Sequence, residues 1–227
     1  ASAVVAALVS IFGGVLTDRV GKRKVFVCFG YIVWGLVTAA FALFGNNHVS
    51  AESVVTVVVV FVIMDCVMTV FGSLSNDAAF SAWVTDVTDI TNRGFVDVVL
   101  SIMPVAALMI IFVGFDGLTQ NGNWTTFFLL LGGMTALSGV VGLFLMKDSP
   151  VLRPDRSGKY FAEVAYGFRP KSFVKHKMIY VCLFGMMFSG LSMQLWQPYM
   201  IVLLQYTLGF GDGYVLPLAL VVLLSAV

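Results

Sequence analysis

The sequence predicts an all-α fold, a polytopic bundle of transmembrane helices. Of the 227 residues, 59% are apolar and only 11% are charged, whereas a soluble domain carries about 25% charged residues. The apolar residues form runs close to the roughly 20 residues that a helix needs to cross a bilayer. Helices are expected rather than strands, because runs such as 57–63 do not alternate and lipid offers backbone amides no partner.

Seven apolar segments follow one another along the chain, and the first and the last are shorter than a full span. They cover residues 1–17, 25–45, 53–85, 95–116, 124–146, 178–208 and 214–227. Because the chain begins and ends inside apolar runs, we expect it to be part of a longer bundle. The three cysteines lie inside apolar segments, which argues against a disulfide framework or a zinc site.

The lysines and arginines are confined to alternate connections between these segments. All 13 lie in loops 18–24, 86–94 and 147–177, and the connections at 45–50, 117–123 and 209–213 contain none. Cytoplasmic loops of membrane proteins carry an excess of lysine and arginine, so the three basic loops are predicted to be cytoplasmic. The chain is therefore expected to be an integral, multi-pass protein, located in the plasma (inner) membrane.

A short charged turn separates the first two segments, and its residues have distinct expected roles. Gly14 would let two helix ends approach closely, and Gly21 would permit a tight bend. Asp18 precedes the next helix, where a carboxylate is stabilised by unpaired amides and by the helix dipole. The cations that follow are expected to attract anionic headgroups; they are Lys22, Arg23 and Lys24.

This turn resembles the signature of the major facilitator superfamily, G-x-x-x-D-R-x-G-[RK]-[RK], between the second and third helices of that family. The matching residues are Gly14, Asp18, Arg19, Gly21, Lys22 and Arg23. The resemblance implies that the chain covers helices two to eight of twelve. Residues 1–146 would form the N-terminal half-bundle, 147–177 a cytoplasmic linker and 178–227 the start of the C-terminal half.

The third segment contains an acid far from either end. Asp77 lies nine residues before Asp86, roughly 13 Å at helical rise, which is near the midplane of a ~30 Å core. Such an acid usually faces a cavity or a partner. With Asn76 beside it, Asp77 belongs to a stripe at every fourth residue, formed by Thr69, Ser73, Asp77 and Ser81. The stripe could line a water-filled pathway, or its hydroxyls could bond their own backbone and pack helices closely.

Two further groups of residues extend the candidate site. Asp65 also lies deep and would bind solute or cation, or else pair with another group near the outer interface. The segment 178–208 is unusually polar, and Pro198 removes one of its backbone hydrogen bonds. Its candidate solute-binding residues are Gln194, Gln197 and Tyr199. The alternative for this segment is a kinked helix held by interhelical hydrogen bonds.

The stretch 73–94 is similar to the fourth helix and following turn of the glycoside–pentoside–hexuronide cation symporters, the melibiose-permease-like branch. There, an intramembrane acid is followed by a polar run, a Thr/Asp turn and an arginine, as Asp77, Asp86 and Arg93 are arranged here. Residues 197–201, Gln-Pro-Tyr-Met-Ile, are similar to a break that is common in that branch. Asp86, Asp89 and Arg93 are expected to latch cytoplasmic helix ends together with Arg19.

These resemblances imply a secondary active transporter that moves a sugar or glycoside by cation-coupled symport and alternating access. Asp77 would bind cation, sugar or both, while Asn76, Gln194 and Gln197 would bind solute hydroxyls and the signature turn would close the cytoplasmic gate. Sodium or a proton would be the coupling ion. No other cofactor, no metal site, no enzymatic activity and no nucleic-acid partner are expected. The alternatives are a receptor or assembly partner with the same fold, and a carrier of lysolipid or another non-sugar solute.

Overall fold

The computed structural model is built from α-helices, and it describes residues 2–44, 54–149, 154, 160, 164, 170–203 and 207–209. A 3₁₀ turn, Phe41–Phe44, follows the second helix, and a π-helical segment, Ser73–Phe80, joins the third to the fourth. In chain order the helices are α1 Ser2–Val20, α2 Arg23–Ala40, α3 Val54–Gly72, α4 Ser81–Val87, α5 Arg93–Gln120, α6 Trp124–Leu145, α7 Pro170–Lys175 and α8 Lys177–Val202.

Among the described residues, five helical spans are long and apolar enough to cross a membrane. They are Ala3–Val20, Arg23–Phe44, Val55–Val87, Arg93–Ile111 and Trp124–Leu145, and they coincide with the first five predicted segments. The helix α8 corresponds to the sixth segment, and its shorter apolar stretch is Lys177–Ser192. The seventh, 214–227, lies outside the described residues. The predicted all-α membrane fold is confirmed.

The chain forms two compact units. The first combines Ala1–Val99 with Phe115–Tyr160, and the second combines Leu100–Gly114 with Phe161–Val227. The signature turn and both deep acids belong to the first unit, whereas the candidate residues of α8 belong to the second. The division into 1–146, 147–177 and 178–227 stays a prediction.

Within the first unit, glycines bring α2 and α6 into backbone contact. A Cβ atom added to Gly132 would lie 2.4 Å from the backbone nitrogen of Ala39 and 2.5 Å from the carbonyl oxygen of Gly35. One added to Gly139 would lie 2.7 Å from the carbonyl oxygen of Cys28. Small residues at such positions let helices pack closely in lipid, where packing and hydrogen bonding replace the hydrophobic effect as the source of association.

The third predicted segment forms one continuous helix whose winding changes in the middle. The span Val55–Val87 has 33 residues, or about 50 Å at α-helical rise, compared with a hydrocarbon core of ~30 Å. This helix therefore extends beyond the hydrocarbon or crosses it with tilt. Its π-helical segment packs against α1 and α2 at two glycines. A Cβ atom on Gly13 would lie 2.7 Å from Leu74 Cδ1, and one on Gly30 would lie 2.5 Å from Ser75 Cβ.

Candidate functional site

A buried arginine joins three helices at the basic end of the first unit, the end formed by loops 18–24 and 86–94 and by residues 146–149. Arg23 is the first residue of α2 and is only 7% exposed. Its Nη2 lies 2.7 Å from Asp18 Oδ1, and its Nη1 donates to the hydroxyl of Thr17 at 3.2 Å. Its Nε donates to the carboxylate of Asp86. Arg23 thereby connects α1, α2 and α4 through charged hydrogen bonds.

Asp18 does not cap α2, so that prediction was wrong. The helix α1 continues through Asp18 to Val20, the turn is only Gly21–Lys22, and no side chain at the N-cap position bonds the first amides of α2. The carboxylate of Asp148 approaches those amides instead and accepts a hydrogen bond from the backbone nitrogen of Lys24 at 2.8 Å. Asp18 instead forms an ion pair with the guanidinium of Arg23.

The two glycines of the signature turn behave differently. A Cβ atom on Gly14 would meet nothing within 4 Å, so the prediction of a close approach at Gly14 was wrong. The close approach occurs at the neighbouring Gly13. Gly21 has a φ of +65°, which confirms the predicted tight bend. A Cβ atom on Gly21 would also lie 2.9 Å from the backbone nitrogen of Pro154. Any larger residue at position 21 would therefore meet both backbone strain and a clash.

Arg23, rather than Arg19, holds Asp86 in the predicted latch. The guanidinium of Arg19 lies 5.3 Å from the centre of the Tyr160 ring, within cation–π distance. The hydroxyl of Tyr160 donates to the carbonyl of Phe12 at 2.9 Å. Arg93, the first residue of α5, bonds the end of α4 instead. Its Nη2 donates at 3.0 Å to the carbonyl of Thr85.

The start of the predicted linker is attached to the same end. The indole nitrogen of Trp83 donates to the carbonyl of Lys147 at 2.9 Å, and Asp148 bonds α2 as described. Loops 18–24 and 86–94 and the start of 147–177 therefore meet at one end of the first unit, as the alternating charge pattern predicts. The contact of Trp83 with Lys147 favours an interfacial role for its indole over a role as a stacking surface for a sugar ring.

Asp77 and Asn76 are exposed within the π-helical segment, and a tyrosine orients them. The Nδ2 atom of Asn76 donates to Asp77 Oδ1 at 3.1 Å. The hydroxyl of Tyr31, on α2, donates to Asn76 Oδ1 at 2.9 Å. These two bonds define the Tyr31–Asn76–Asp77 network, in which the side-chain nitrogen of Asn76 faces the carboxylate of Asp77. One carboxylate oxygen of Asp77 has no hydrogen bond or ion pair to any residue that the structure describes.

Tyr31 was not predicted as a site residue. It lies in an apolar segment next to Trp34, whose ring centre is 5.4 Å from its own, and such pairs usually only pack. The one available signal is that the hydroxyl of a tyrosine inside a membrane helix normally finds a partner. That partner, Asn76, is 45 positions away in the sequence, so local patterning could not identify it.

The predicted four-residue stripe is broken by the change of winding. Hydrogen bonds in a π-helix run between residues five apart, so side chains four apart no longer align. Ser73 is 6% exposed and does not share the exposed surface of Asp77. Thr69 donates to the carbonyl of Asp65 at 2.7 Å, and Ser81 donates to the carbonyl of Asn76 at 3.2 Å. These two hydroxyls thus follow the alternative interpretation, in which they bond their own helix.

The remaining candidates are not members of this network. Asp65 lines a separate groove between α2, α3 and α6. Tyr199 is exposed on α8 in the second unit. The side chains of Gln194 and Gln197, also on α8, lie outside what the structure describes. The roles of these three α8 residues in binding solute stay predictions.

In the described part of the chain, five membrane-length helices, with rare polar groups inside them and a charged network at one end, define a multi-pass membrane protein. The family model of the Major Facilitator Superfamily matches residues 1–227, the whole chain. No curated protein and no solved structure matches it. The chain therefore belongs to the Major Facilitator Superfamily. By class it is a secondary transporter: a protein that lies in a lipid bilayer and carries a small solute across it.

Proposed function

We propose that the protein is a cation-coupled symporter of a sugar or glycoside, of the melibiose-permease-like branch, which works by alternating access. The observation that supports the proposal most is the Tyr31–Asn76–Asp77 network. It places a carboxylate at membrane depth beside an oriented amide, and intramembrane acids mark substrate and ion pathways. The carboxylate would bind the coupling cation, a sugar hydroxyl or both, and the amide would bind a second hydroxyl.

In this proposal the basic end is the cytoplasmic end of a protein in the plasma membrane. The Arg23 contacts with Asp18 and Asp86 would help to hold the cytoplasmic gate shut when the site opens outwards. Gln194, Gln197 and Tyr199 would bind the solute from the other half of the bundle. Asp65 and Ser73 have weaker support as site residues, since neither shares the exposed surface of Asp77.

Uptake of radiolabelled sugars and glycosides into vesicles that contain the full-length protein tests this proposal. Uptake should follow an imposed sodium or proton gradient. Asp77→Asn should lower it by about tenfold to a hundredfold, since a hydrogen bond to a charged group contributes about 1.5–3 kcal/mol. Asp97→Asn, the same change at an exposed position of α5, should leave uptake unaltered. Unchanged uptake and ion dependence in Asp77→Asn would exclude the site, and absence of any solute flux would favour the receptor alternative.

A second prediction concerns the orienting tyrosine. Tyr31→Phe removes the hydroxyl that bonds Asn76 but keeps the ring beside Trp34. The KM for solute should rise about fivefold, which corresponds to the ~1 kcal/mol of one neutral hydrogen bond, with little change in maximal rate. Thr135→Val is the control, because the Thr135 hydroxyl bonds only the carbonyl of Leu131 in its own helix. An unchanged KM in Tyr31→Phe would show that Asn76 needs no external orientation.

A further inference from the structure

The first unit has a groove between α2, α3 and α6, three helices that are long and apolar enough to cross a membrane. Its volume is 390 Å³, within the range of about 300–1,000 Å³ that is usual for small-molecule sites. Phe61, Phe128 and Met68 contribute to its walls, and Phe41 lies between the two other rings. Val62, which also lines the groove, is 46% exposed, so the groove is open on this side.

Three aromatic rings form a continuous surface in this groove. The ring centre of Phe41 lies 5.2 Å from that of Phe61 and 5.6 Å from that of Phe128. Phe41 is only 7% exposed, so its neighbours hold its ring in place. The face of an aromatic ring carries partial negative charge and attracts a cation within about 6 Å of its centre.

Asp65 is the charged group of the groove, and it is without a counter-charge among the described residues. It lies eleven residues after Val54, where α3 begins, which is roughly 16 Å into the helix. Its carbonyl accepts the Thr69 hydroxyl at 2.7 Å, but its carboxylate has no ion pair or hydrogen bond to the described part of the chain. Thr38, the other polar residue of the lining, donates to the carbonyl of Trp34 at 2.9 Å.

We propose that this groove binds a lipophilic organic cation, such as a quaternary ammonium or phosphonium with apolar substituents, which enters from the bilayer. The positive charge would neutralise Asp65, whose isolated charge is costly in hydrocarbon. The substituents would pack on the rings of Phe61 and Phe128. A metal cation would need several oxygen ligands, and a sugar would need several hydrogen-bond partners, which this mostly apolar lining does not offer. The groove is therefore distinct in its chemistry from the Tyr31–Asn76–Asp77 network.

Equilibrium binding of radiolabelled tetraphenylphosphonium to the purified full-length protein tests this inference. Tetraphenylborate, of the same shape and opposite charge, serves as the matched probe. The wild-type protein should bind tetraphenylphosphonium saturably, and unlabelled tetraphenylphosphonium should displace it. Tetraphenylborate, which precipitates with tetraphenylphosphonium, is measured in separate samples and should show no saturable binding. Asp65→Asn should weaken binding by about tenfold or more, and Phe61→Leu by about threefold or more, because each removes one attraction for the cation. Asp65→Glu should retain binding.

Asp77→Asn separates this inference from the proposed function. With the cation bound in the groove, Asp77→Asn should bind tetraphenylphosphonium with wild-type affinity even where sugar uptake is lost. Loss of binding in Asp77→Asn, with full binding in Asp65→Asn, would overturn the groove assignment and place the probe at the other acid. Equal affinities of wild type, Asp65→Asn and Phe61→Leu, or no saturable binding, would overturn it as well.

Discussion

Arg23→Gln is expected to destabilise the folded protein by about 3–5 kcal/mol, the usual result of removing one partner from a buried ion pair. The side chain of Arg23 is 8% exposed, and its guanidinium contacts two carboxylates and one hydroxyl on α1 and α4. Without it, Asp18 and Asp86 would repel each other and Asp86 would lack its counter-charge. The midpoint of thermal unfolding of the full-length protein in detergent measures the loss.

Lys22→Gln is the matched control for this prediction. It makes the same change of charge one position earlier, at an exposed residue of the same turn, and should shift the unfolding midpoint little. Arg23→Lys should be intermediate, because an ammonium group cannot donate in the planar arrangement that reaches all three partners. Arg23→Gln combined with Asp86→Asn should recover part of the loss through a coupling of about 1.5 kcal/mol or more. Equal midpoints for Lys22→Gln and Arg23→Gln would contradict the role assigned to Arg23.

Gly132→Ala and Gly133→Ala are expected to change stability in opposite directions. A methyl group at position 132 would lie within 2.7 Å of three atoms of α2, two of them backbone atoms. Accommodating it requires α2 and α6 to separate, and we expect a cost of about 1–3 kcal/mol. At position 133 nothing lies within 4 Å, so alanine should stabilise the helix by up to ~1 kcal/mol through its higher helix propensity.

The Gly132→Ala and Gly133→Ala variants are matched to each other because both substitutions have the same effect on helix propensity. Any difference in unfolding midpoint between the two variants therefore reports the contact between α2 and α6. A Cβ atom at position 139 would lie 2.7 Å from the carbonyl oxygen of Cys28, so Gly139→Ala should lower the midpoint as Gly132→Ala does. Equal midpoints for the Gly132 and Gly133 variants would show that the two helices are not in backbone contact.

The spans could be predicted from the sequence because hydropathy and charge are local properties of the chain. Apolar runs mark the helices that the membrane requires, and the alternation of lysine and arginine between loops indicates which loops share an end. Gly21 was also predictable, since a glycine between two charged helix ends is typical of a tight turn with positive φ. By contrast, the length of α1 was underestimated, because charged residues at the end of a span need not end its helix.

The contacts of the candidate site could not be predicted, because they join residues that are distant in sequence. Tyr31 and Asn76 are 45 positions apart, Arg23 and Asp86 are 63 apart, and Lys24 and Asp148 are 124 apart. Only the three-dimensional packing of α2 against its neighbours brings them together. The winding of Ser73–Phe80 was also missed, since a four-residue stripe assumes α-helical hydrogen bonds throughout.

The continuous helix from Val54 to Val87 carries three acidic residues, Asp65, Asp77 and Asp86. Asp77 and Asp86 lie on it nine residues apart, about 13 Å at helical rise. A rotation of this helix that re-aims Asp77 also displaces Asp86 from the guanidinium of Arg23. In the proposed mechanism, solute binding at Asp77 and closure of the gate at Asp86 would therefore be coupled through this one helix.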